Sequence, residues 1–286
     1  MVGTDVGEEI GWFSTICPIL LPVYSLNQIL PSGPAVMPIG LLLPPGRVYS
    51  VMTPAVVILP ILLPPVVKDD GVVLVMQNGL GIEEEVAKIV GPTRVMGGLC
   101  FLCSNKTGPG HICHLDYGMV SLGEFAMHGV SDRMRQVADD FQRAGIPIQL
   151  AEDLAVARWQ KLVWNIPYNG LSVVLDANTD ALMANVHTRR LVEKIMRETV
   201  ADARAVGVPL EDAVVERMLG YTAKMKPYRT SMKIDLDERR PMEVEAIFGN
   251  PLRAAQKSGI DSPLLETLYR QLKFLDERNR ATAASV

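Results

Sequence analysis

Apolar positions between about residues 68 and 150 follow the periods of both strands and helices. Helical spacing predicts helices near 82–90 and over 131–144. The predicted strands are 71–77, 94–103, 146–150 and a pair within 111–124 that turns at 116–118. The apolar run before Gln77 is unbroken, which is typical of a parallel strand buried on both faces. This order of elements predicts an α/β fold.

After about residue 153, the apolar positions recur with the helical period alone. The predicted helix at 187–206 carries an apolar stripe along one face. That stripe consists of Leu191, Ile195, Val200 and Ala203. We therefore predict an α/β domain over residues 1–150, followed by an all-α domain over residues 151–286.

Three polar residues interrupt one apolar helical segment at intervals of one turn. Lys161, Asn165 and Asn169 fall at i, i+4 and i+8, so an α-helix places them on one face. A solvent-facing stripe is one interpretation, but Asn is a poor helix-interior residue because its amide competes for backbone hydrogen bonds. Two amides aligned with one ammonium suit a small ligand that carries a carbonyl and hydroxyls. We regard these three side chains as candidate site residues.

A tight turn is predicted where the strand at 71–77 ends. Gln77 and Asn78 follow the apolar run, and Gly79 and Gly81 allow the chain to reverse before the next helix. Ligands bind at the carboxyl ends of strands in open α/β sheets. The turn is therefore a second candidate site.

A charged loop is predicted over residues 231–240, with Ser231 at its start. Pro241 then suits a helix start, since its missing N–H costs nothing there. Glu243 would lie in the first turn, where the helix dipole favours a carboxylate. A routine acidic helix start is the alternative interpretation of this segment.

Composition and charge exclude several classes of protein. The chain has 286 residues, a formal net charge of −4 and a pI of about 5.7, so nothing favours nucleic acid or an anionic membrane surface. Its four cysteines do not make a secreted disulfide framework. We therefore expect a cytoplasmic protein.

Residues 1–67 differ in composition from the rest of the chain and hold more than half of its 20 prolines. Their charged residues are Asp5, Glu8, Glu9 and Arg47. The uncharged stretches 10–46 and 48–67 invite a membrane-spanning interpretation, but prolines break the second into a poor helix. The start is acidic where a secretory signal needs positive charge. We predict neither a membrane segment nor a signal peptide.

A cluster of cysteines and histidines superficially resembles a zinc-binding motif. Its members are Cys100, Cys103, His111, Cys113 and His114. All five fall on predicted strands, where side chains three residues apart point to opposite faces, whereas structural zinc usually takes Cys-x-x-Cys from a tight turn. We therefore predict no metal site and interpret the cysteines as apolar strand residues.

The candidate motifs together resemble the ketopantoate reductase (2-dehydropantoate 2-reductase) family over about residues 68–280. The family pattern has an Asn-Gly-Leu-Gly turn, a Lys with Asn four and eight residues later, and a Ser-Met-x-x-Asp segment with a Glu twelve residues after the Ser. The matching residues are Asn78 to Gly81, Lys161, Asn165, Asn169, Ser231, Met232, Asp235 and Glu243.

The resemblance implies a Rossmann-like nucleotide-binding domain, followed by a helical domain that binds substrate and can form a homodimer. It implies an NADP-dependent oxidoreductase of pantothenate biosynthesis, which uses NADPH to reduce ketopantoate to pantoate. The implied catalytic residues are Lys161, as general acid, and Glu243. The implied substrate contacts are Asn78, Asn165, Asn169 and Ser231, and the implied cofactor contacts are Asn78, Gly79, Cys103 and Glu243.

Residues 1–67 depart from the family pattern. The family begins with a strand and a Gly-x-Gly-x-x-Gly turn that places the pyrophosphate on a helix N-terminus, whereas Gly3, Gly7 and Gly11 are spaced by four. Arg47 is the single basic residue there for an NADP 2′-phosphate. We therefore expect an incomplete or divergent Rossmann-like domain with weak NADPH binding. Two alternatives stay open: a catalytically impaired relative that serves as a binding or dimerisation module, and a reductase of another 2-keto acid.

Overall fold

The computed structural model describes residues 71–108 and 111–283, together with two short strands at Ile16–Cys17 and Val48–Tyr49. Gly3, Gly7, Gly11 and Arg47, as well as the uncharged stretches 10–46 and 48–67 apart from these two strands, lie outside the described residues. Across the described part, no helix combines the length and apolarity that crossing a membrane requires.

A six-stranded sheet, with its strands in chain order, forms the centre of the α/β part. Neighbouring strands are parallel except for β4 and β5, which form an antiparallel hairpin. The strands are β1 (Ile16–Cys17), β2 (Val48–Tyr49), β3 (Val73–Val75), β4 (Val95–Gly108), β5 (His111–Glu124) and β6 (Ile148–Ala151).

Helices cover both faces of this sheet. Alternate strand residues point to opposite sides, so an entirely apolar strand such as β3 must be covered on both faces. Leu74 packs in one apolar cluster with residues of α2 (Asp132–Arg143). Val73 and Val75 pack in another cluster with residues of α1 (Ile82–Val90). Burial on both faces confirms the interpretation of the apolar run at 71–77, although the paired strand is shorter than predicted.

The described residues from Leu154 onward contain helices and connecting loops only. The helices are α3 (Leu154–Val174), α4 (Thr179–Ala184), α5 (Val186–Ala205), α6 (Ala213–Lys224), α7 (Ser231–Asp237), a π-helical turn (Glu245–Gly249), α8 (Asn250–Lys257) and α9 (Pro263–Ala283). Their main core surrounds the fully buried Trp159, Tyr168 and Phe248. The predicted α/β fold followed by an all-α fold is confirmed, and the domain division at residue 150 stays a prediction.

The turn predicted at 116–118 is wrong, because β5 runs through it as one strand. Leu102 pairs with Tyr117 and Phe101 pairs with Met119, which leaves Gly118 as an extra residue in a β-bulge. The positive φ angles of Tyr117 (62°) and Gly118 (143°) accommodate the bulge. The turn residues therefore bend a strand, and the hairpin reverses between β4 and β5.

The charged loop predicted over residues 231–240 is also wrong in its first part, which forms α7. The Thr230 side chain caps this helix by accepting a hydrogen bond from Lys233 N. Lys233 forms an ion pair with Asp237 one turn later, which favours the helix. This ion pair is a local interaction, whereas the burial of Met232 and Lys233 requires contacts with distant parts of the chain. The local ion pair and the burial together favour a helix where the charges alone indicate a loop.

Pro241 does not start a helix, so the predicted position of Glu243 in a first turn is wrong. Helical backbone begins at Val244, and the regular π-helical turn begins at Glu245. A long-range hydrogen bond fixes the segment between Pro241 and Val244 instead of a helical one: Met242 N donates to Asp276 Oδ1 at 2.8 Å. Glu243 therefore lies immediately before the helical backbone, where its carbonyl accepts a hydrogen bond from Ile247 N at 3.1 Å.

Candidate active site

Helix α3 carries the polar stripe and presents it to the protein interior. Asp153 starts the helix by accepting a hydrogen bond from Val156 N at 3.0 Å. Lys161, Asn165 and Asn169 are only 9%, 5% and 2% exposed. Their common helix confirms the predicted spacing, and their burial contradicts the interpretation as a solvent-facing stripe.

The ammonium of Lys161 lies against the strand β4. Its Nζ donates a hydrogen bond to Cys100 O at 2.6 Å and lies 5.3 Å from the centroid of the Phe101 ring. Burial lowers the pKa of Lys161 to about 8, and the charge of Arg158 acts in the same direction, whereas Cys100 and Glu243 act to raise it. An ammonium has three N–H donors, and only one of them is used by the Cys100 carbonyl. Lys161 can therefore donate a hydrogen bond and a proton near neutral pH.

Asn78 and Glu243, far apart in the chain, meet through their side chains. Asn78 Nδ2 donates to Glu243 Oε2 at 3.2 Å, and Glu243 is buried. A second hydrogen bond, from Leu80 N to Ala246 O at 2.8 Å, connects the turn to the π-helical segment. A Cβ on Gly79 would lie 2.5 Å from Ala246, so this close approach requires glycine. The predicted turn residues thus contact the segment of Glu243.

The far end of the stripe carries an unsatisfied polar atom. The buried Oδ1 of Asn169 has no hydrogen-bond partner among the described residues. The side chains of Ser172 and Thr230 share a hydrogen bond of 2.6 Å, which anchors the start of α7 to α3. Ser231 is the first residue of α7 and therefore lies near this end of the stripe. A buried acceptor without a partner is costly unless a ligand or water supplies the hydrogen bond.

Cys103 lies further along β4, where it is buried and paired in register with Asp116. Burial, with Asp116 as a second cause, raises the pKa of its thiol to about 12, so the thiol is neutral at pH 7. The thiol also interacts electrostatically with Tyr117 on β5 and with Tyr228, which belongs to the helical part.

The cysteines and histidines of the apparent zinc motif all lie on β4 or β5, as predicted. Cys100 is partly buried, Cys103 is buried and Cys113 is exposed. Within the described ranges, no group of three or more His, Cys, Asp or Glu side chains is arranged to hold a metal ion.

Two charged residues close to the site escape prediction from the sequence. Arg158, one turn before Lys161 on α3, forms a buried ion pair with Glu83 in the first turn of α1. The available signals are weak: Arg158 lies three residues before Lys161, a spacing that an α-helix places on the same face, and Glu83 follows the Asn78 turn. Nothing in the local pattern indicates that these two residues are partners.

Comparison with known proteins matches both parts of the chain to one family. The model of ketopantoate reductase PanE/ApbA matches residues 58–127, and the model of its C-terminal part matches residues 153–276. A 2-dehydropantoate 2-reductase from Nostoc sp. (strain PCC 7120) is 60% identical over 233 residues, which cover 80% of this chain and 73% of the relative.

Two solved structures agree with the sequence comparison. The crystal structure of a 2-dehydropantoate 2-reductase from Geobacter metallireducens GS-15 has a TM-score of 0.74 and 39% identity, covering 79% of this chain and 76% of that chain. The enzyme from Methylococcus capsulatus has a TM-score of 0.72 and 37% identity, covering 82% and 74%.

The two family matches fall on the α/β part and on the helical part, in that order. They confirm a Rossmann-like first half followed by a helical second half. Together with the 60% identical relative, they confirm the resemblance carried by the sequence motifs, and the chain belongs to the ketopantoate reductase family.

Proposed function

We propose that this chain is an NADP-dependent reductase that converts ketopantoate to pantoate, with Lys161 as general acid. The observation that carries the proposal is a buried ammonium with spare donors, close enough to Glu243 for the two charges to interact. Glu243 in turn bonds Asn78 at the carboxyl end of β3, the edge where α/β sheets bind ligands. Membership of the family supports the same reaction.

The described residues fit the nicotinamide end of a dinucleotide and a small polar substrate. The Asn78 turn lies at the sheet edge, and the unsatisfied Oδ1 of Asn169 can accept a hydrogen bond from a substrate hydroxyl. When bound, reduced NADP supplies the hydride that attacks the keto carbon. We propose that Asn78, Gly79, Cys103 and Glu243 line the cofactor site.

The proposed role of Lys161 is to stabilise the charge that grows on the keto oxygen. As the carbonyl bond becomes a single bond, its electron pair moves to oxygen, and a positioned ammonium stabilises that charge. Lys161 Nζ then transfers a proton to the oxygen and becomes a neutral amine. Glu243 holds a substrate hydroxyl and keeps Lys161 oriented.

Asn165, Asn169 and Ser231 are proposed to hold the substrate. The two amides face the interior from α3, one and two turns beyond Lys161. Ser231 lies at the start of α7, where a hydroxyl can donate to the substrate carboxylate. Residues 151–286 would thus form the substrate domain, with residues 1–150 as the nucleotide domain, in a cytoplasmic protein that can form a homodimer.

The test of the function is cofactor oxidation by the purified chain with ketopantoate, using NADPH and NADH in parallel. We expect ketopantoate-dependent oxidation of NADPH, faster than that of NADH. Turnover with a different 2-keto acid and none with ketopantoate would favour the alternative reductase. Binding of NADPH without turnover of either substrate would favour an impaired relative. A calorimetric titration of NADPH in the same preparation tests the weak binding expected from residues 1–67.

The pH profile of the reaction is expected to follow the protonation of Lys161. Because burial lowers its pKa to about 8, the reactive ammonium is complete below that pH and is lost above it. The kcat/KM for reduction should therefore be level at neutral pH and fall about tenfold per pH unit above the pKa. The measurement is kcat/KM at saturating cofactor across this range, and a level profile to about pH 10 would contradict the role of Lys161.

Ser231→Ala is expected to raise KM about tenfold with little change in kcat, the scale of one hydrogen bond to a charged group. The control is Ser258→Ala, which changes an exposed serine whose Oγ bonds Ala254 O at the end of α8. Both variants are measured by steady-state kinetics with ketopantoate. Equal KM values in the two variants would mean that Ser231 does not contact the substrate.

A further inference from the structure

Arg158 and Glu83 form an ion pair that is buried between the α/β part and the helical part. Each residue is only 3% exposed. Arg158 Nε donates to Glu83 Oε1 at 2.8 Å, and Nη2 donates to the same carboxylate. The two residues are 75 positions apart, so the pair exists only in the folded chain.

Stability alone does not explain a charged pair at this position. Taking two ions out of water carries a desolvation penalty that can exceed their mutual attraction, and apolar pairs of similar volume are often as stable. Buried polar groups with full partners do, however, make the local geometry rigid and specific. The other partners of Arg158 show which geometry this pair holds.

The remaining donors of Arg158 go to carbonyls at the carboxyl end of β3. Nη2 donates to Val75 O at 3.2 Å, and Nη1 donates to Gln77 O. Gln77 directly precedes Asn78, so the guanidinium holds the chain at the point where the turn begins. A planar guanidinium with five donors suits one carboxylate and two carbonyls, which an ammonium cannot match.

The other side of this turn is held by the segment that follows Glu243. Leu80 N donates to Ala246 O at 2.8 Å, and Asn250 Nδ2 donates to Leu80 O at 2.6 Å. The turn is therefore clamped between α3 and the 243–250 segment. Because Asn78 bonds Glu243, any displacement of the turn also changes that contact.

Arg158 also lies one helical turn before Lys161 on the same face of α3. Among the described residues, the charged and titratable groups that act on Lys161 are Arg158, Glu243 and the thiol of Cys100. Burial is the main cause of the lowered pKa of Lys161, and the Arg158 charge acts in the same direction, against Cys100 and Glu243. The same side chain thus contacts the turn and acts electrostatically on the acid.

We propose that Arg158 is a positioning residue of the reductase site. With Glu83 as its counter-ion, it holds the Asn78 turn against Glu243 and orders Lys161 on α3. The inference rests on the proposed reduction, and it gives Arg158 no contact with substrate or cofactor.

The decisive variant replaces both ions, Arg158→Met with Glu83→Leu, so that no lone charge is left buried and the fold persists. Its kcat/KM should fall at least about tenfold, mainly through kcat, because the site loses its alignment. The titration midpoint of Lys161 should rise, because the Arg158 charge acts to lower it and the Glu83 charge is not among the causes of its shift. That midpoint is read from the pH dependence of Lys161 acetylation by mass spectrometry, which needs no turnover.

Arg158→Lys keeps the positive charge, so Glu83 stays paired. Its Lys161 midpoint should match the wild type, while kcat/KM falls about tenfold because a compact ammonium lacks the planar fork with which the guanidinium spans the carboxylate and both carbonyls. Arg197→Met is the matched control, since it breaks a surface pair with Glu193 on the same helical part. Neither the midpoint nor kcat/KM should change in that control.

A folded double variant that keeps the wild-type kcat/KM or the wild-type midpoint overturns the proposal. An Arg158→Lys variant with wild-type kcat/KM also overturns it. If the wild-type chain reduces no 2-keto acid, the proposed function fails and the Lys161 midpoint of the double variant decides alone. A raised midpoint then upholds the interaction of Arg158 with Lys161, although the site is not a reductase, and an unchanged midpoint overturns it.

Discussion

Lys161→Met is expected to lower kcat for ketopantoate reduction by about two orders of magnitude or more, the usual scale for losing a general acid. The substitution removes the ammonium that bonds Cys100 O at 2.6 Å, while the unbranched side chain fills most of the same space. The measurement is steady-state NADPH oxidation by variant and wild type at one pH. Near wild-type turnover in a folded variant would remove Lys161 from the mechanism.

The same variant is expected to be as stable as the wild type or more stable. Burial lowers the pKa of Lys161 from its usual 10.5 to about 8, so between these values the unfolded chain binds more protons than the folded chain. The destabilising effect of Lys161 is therefore complete below about pH 8 and is relieved as the pH rises towards 10.5. Denaturant unfolding at pH 7 measures the difference, with Lys194→Met on the exposed face of α5 as control.

Gly79→Ala is expected to reduce both stability and activity strongly. Gly79 has a φ of +95°, and a Cβ there would lie 2.5 Å from the backbone of Ala246. The substitution therefore adds backbone strain to a clash that only a shift of the main chain can relieve, about 3 kcal/mol or more of unfolding free energy together. Because this shift moves Asn78 away from Glu243, kcat/KM should fall at least about tenfold.

Gly129→Ala separates the two effects of that substitution. Gly129 has a φ of +89°, but an added Cβ would meet nothing within 4 Å. Its loss of unfolding free energy should be about 1–2 kcal/mol, the scale of a left-handed alanine, with wild-type kinetics. Both variants are compared by denaturant unfolding and by kcat/KM. Equal losses of stability would show that the contact of Gly79 with Ala246 is not tight.

The candidate site could be found from the sequence where its signals are local. Lys161, Asn165 and Asn169 share a face because an α-helix repeats every 3.6 residues, and the structure confirms that helix. The Asn78 turn could be placed at a strand end because the apolar run before it is unbroken. The roles of these residues in catalysis stay predictions.

The predictions that were wrong concern segments whose structure depends on distant contacts. The charged segment from Ser231 is helical where Thr230, anchored by Ser172 on α3, caps it. Residues 116–118 carry turn chemistry, yet their pairing with β4 makes them a bulge within β5. In both cases, long-range packing overrides the local preference.

The sequence by itself determined the α/β fold followed by helices, the polar face of α3 and the family. Those features rest on periodicity and short spacing, which are written in neighbouring residues. Only the tertiary structure decided that Asn78 bonds Glu243, 165 positions away, and that Arg158 pairs with Glu83, 75 positions away. Such contacts leave no pattern in one sequence, because they depend on how whole elements pack and which charges that packing buries.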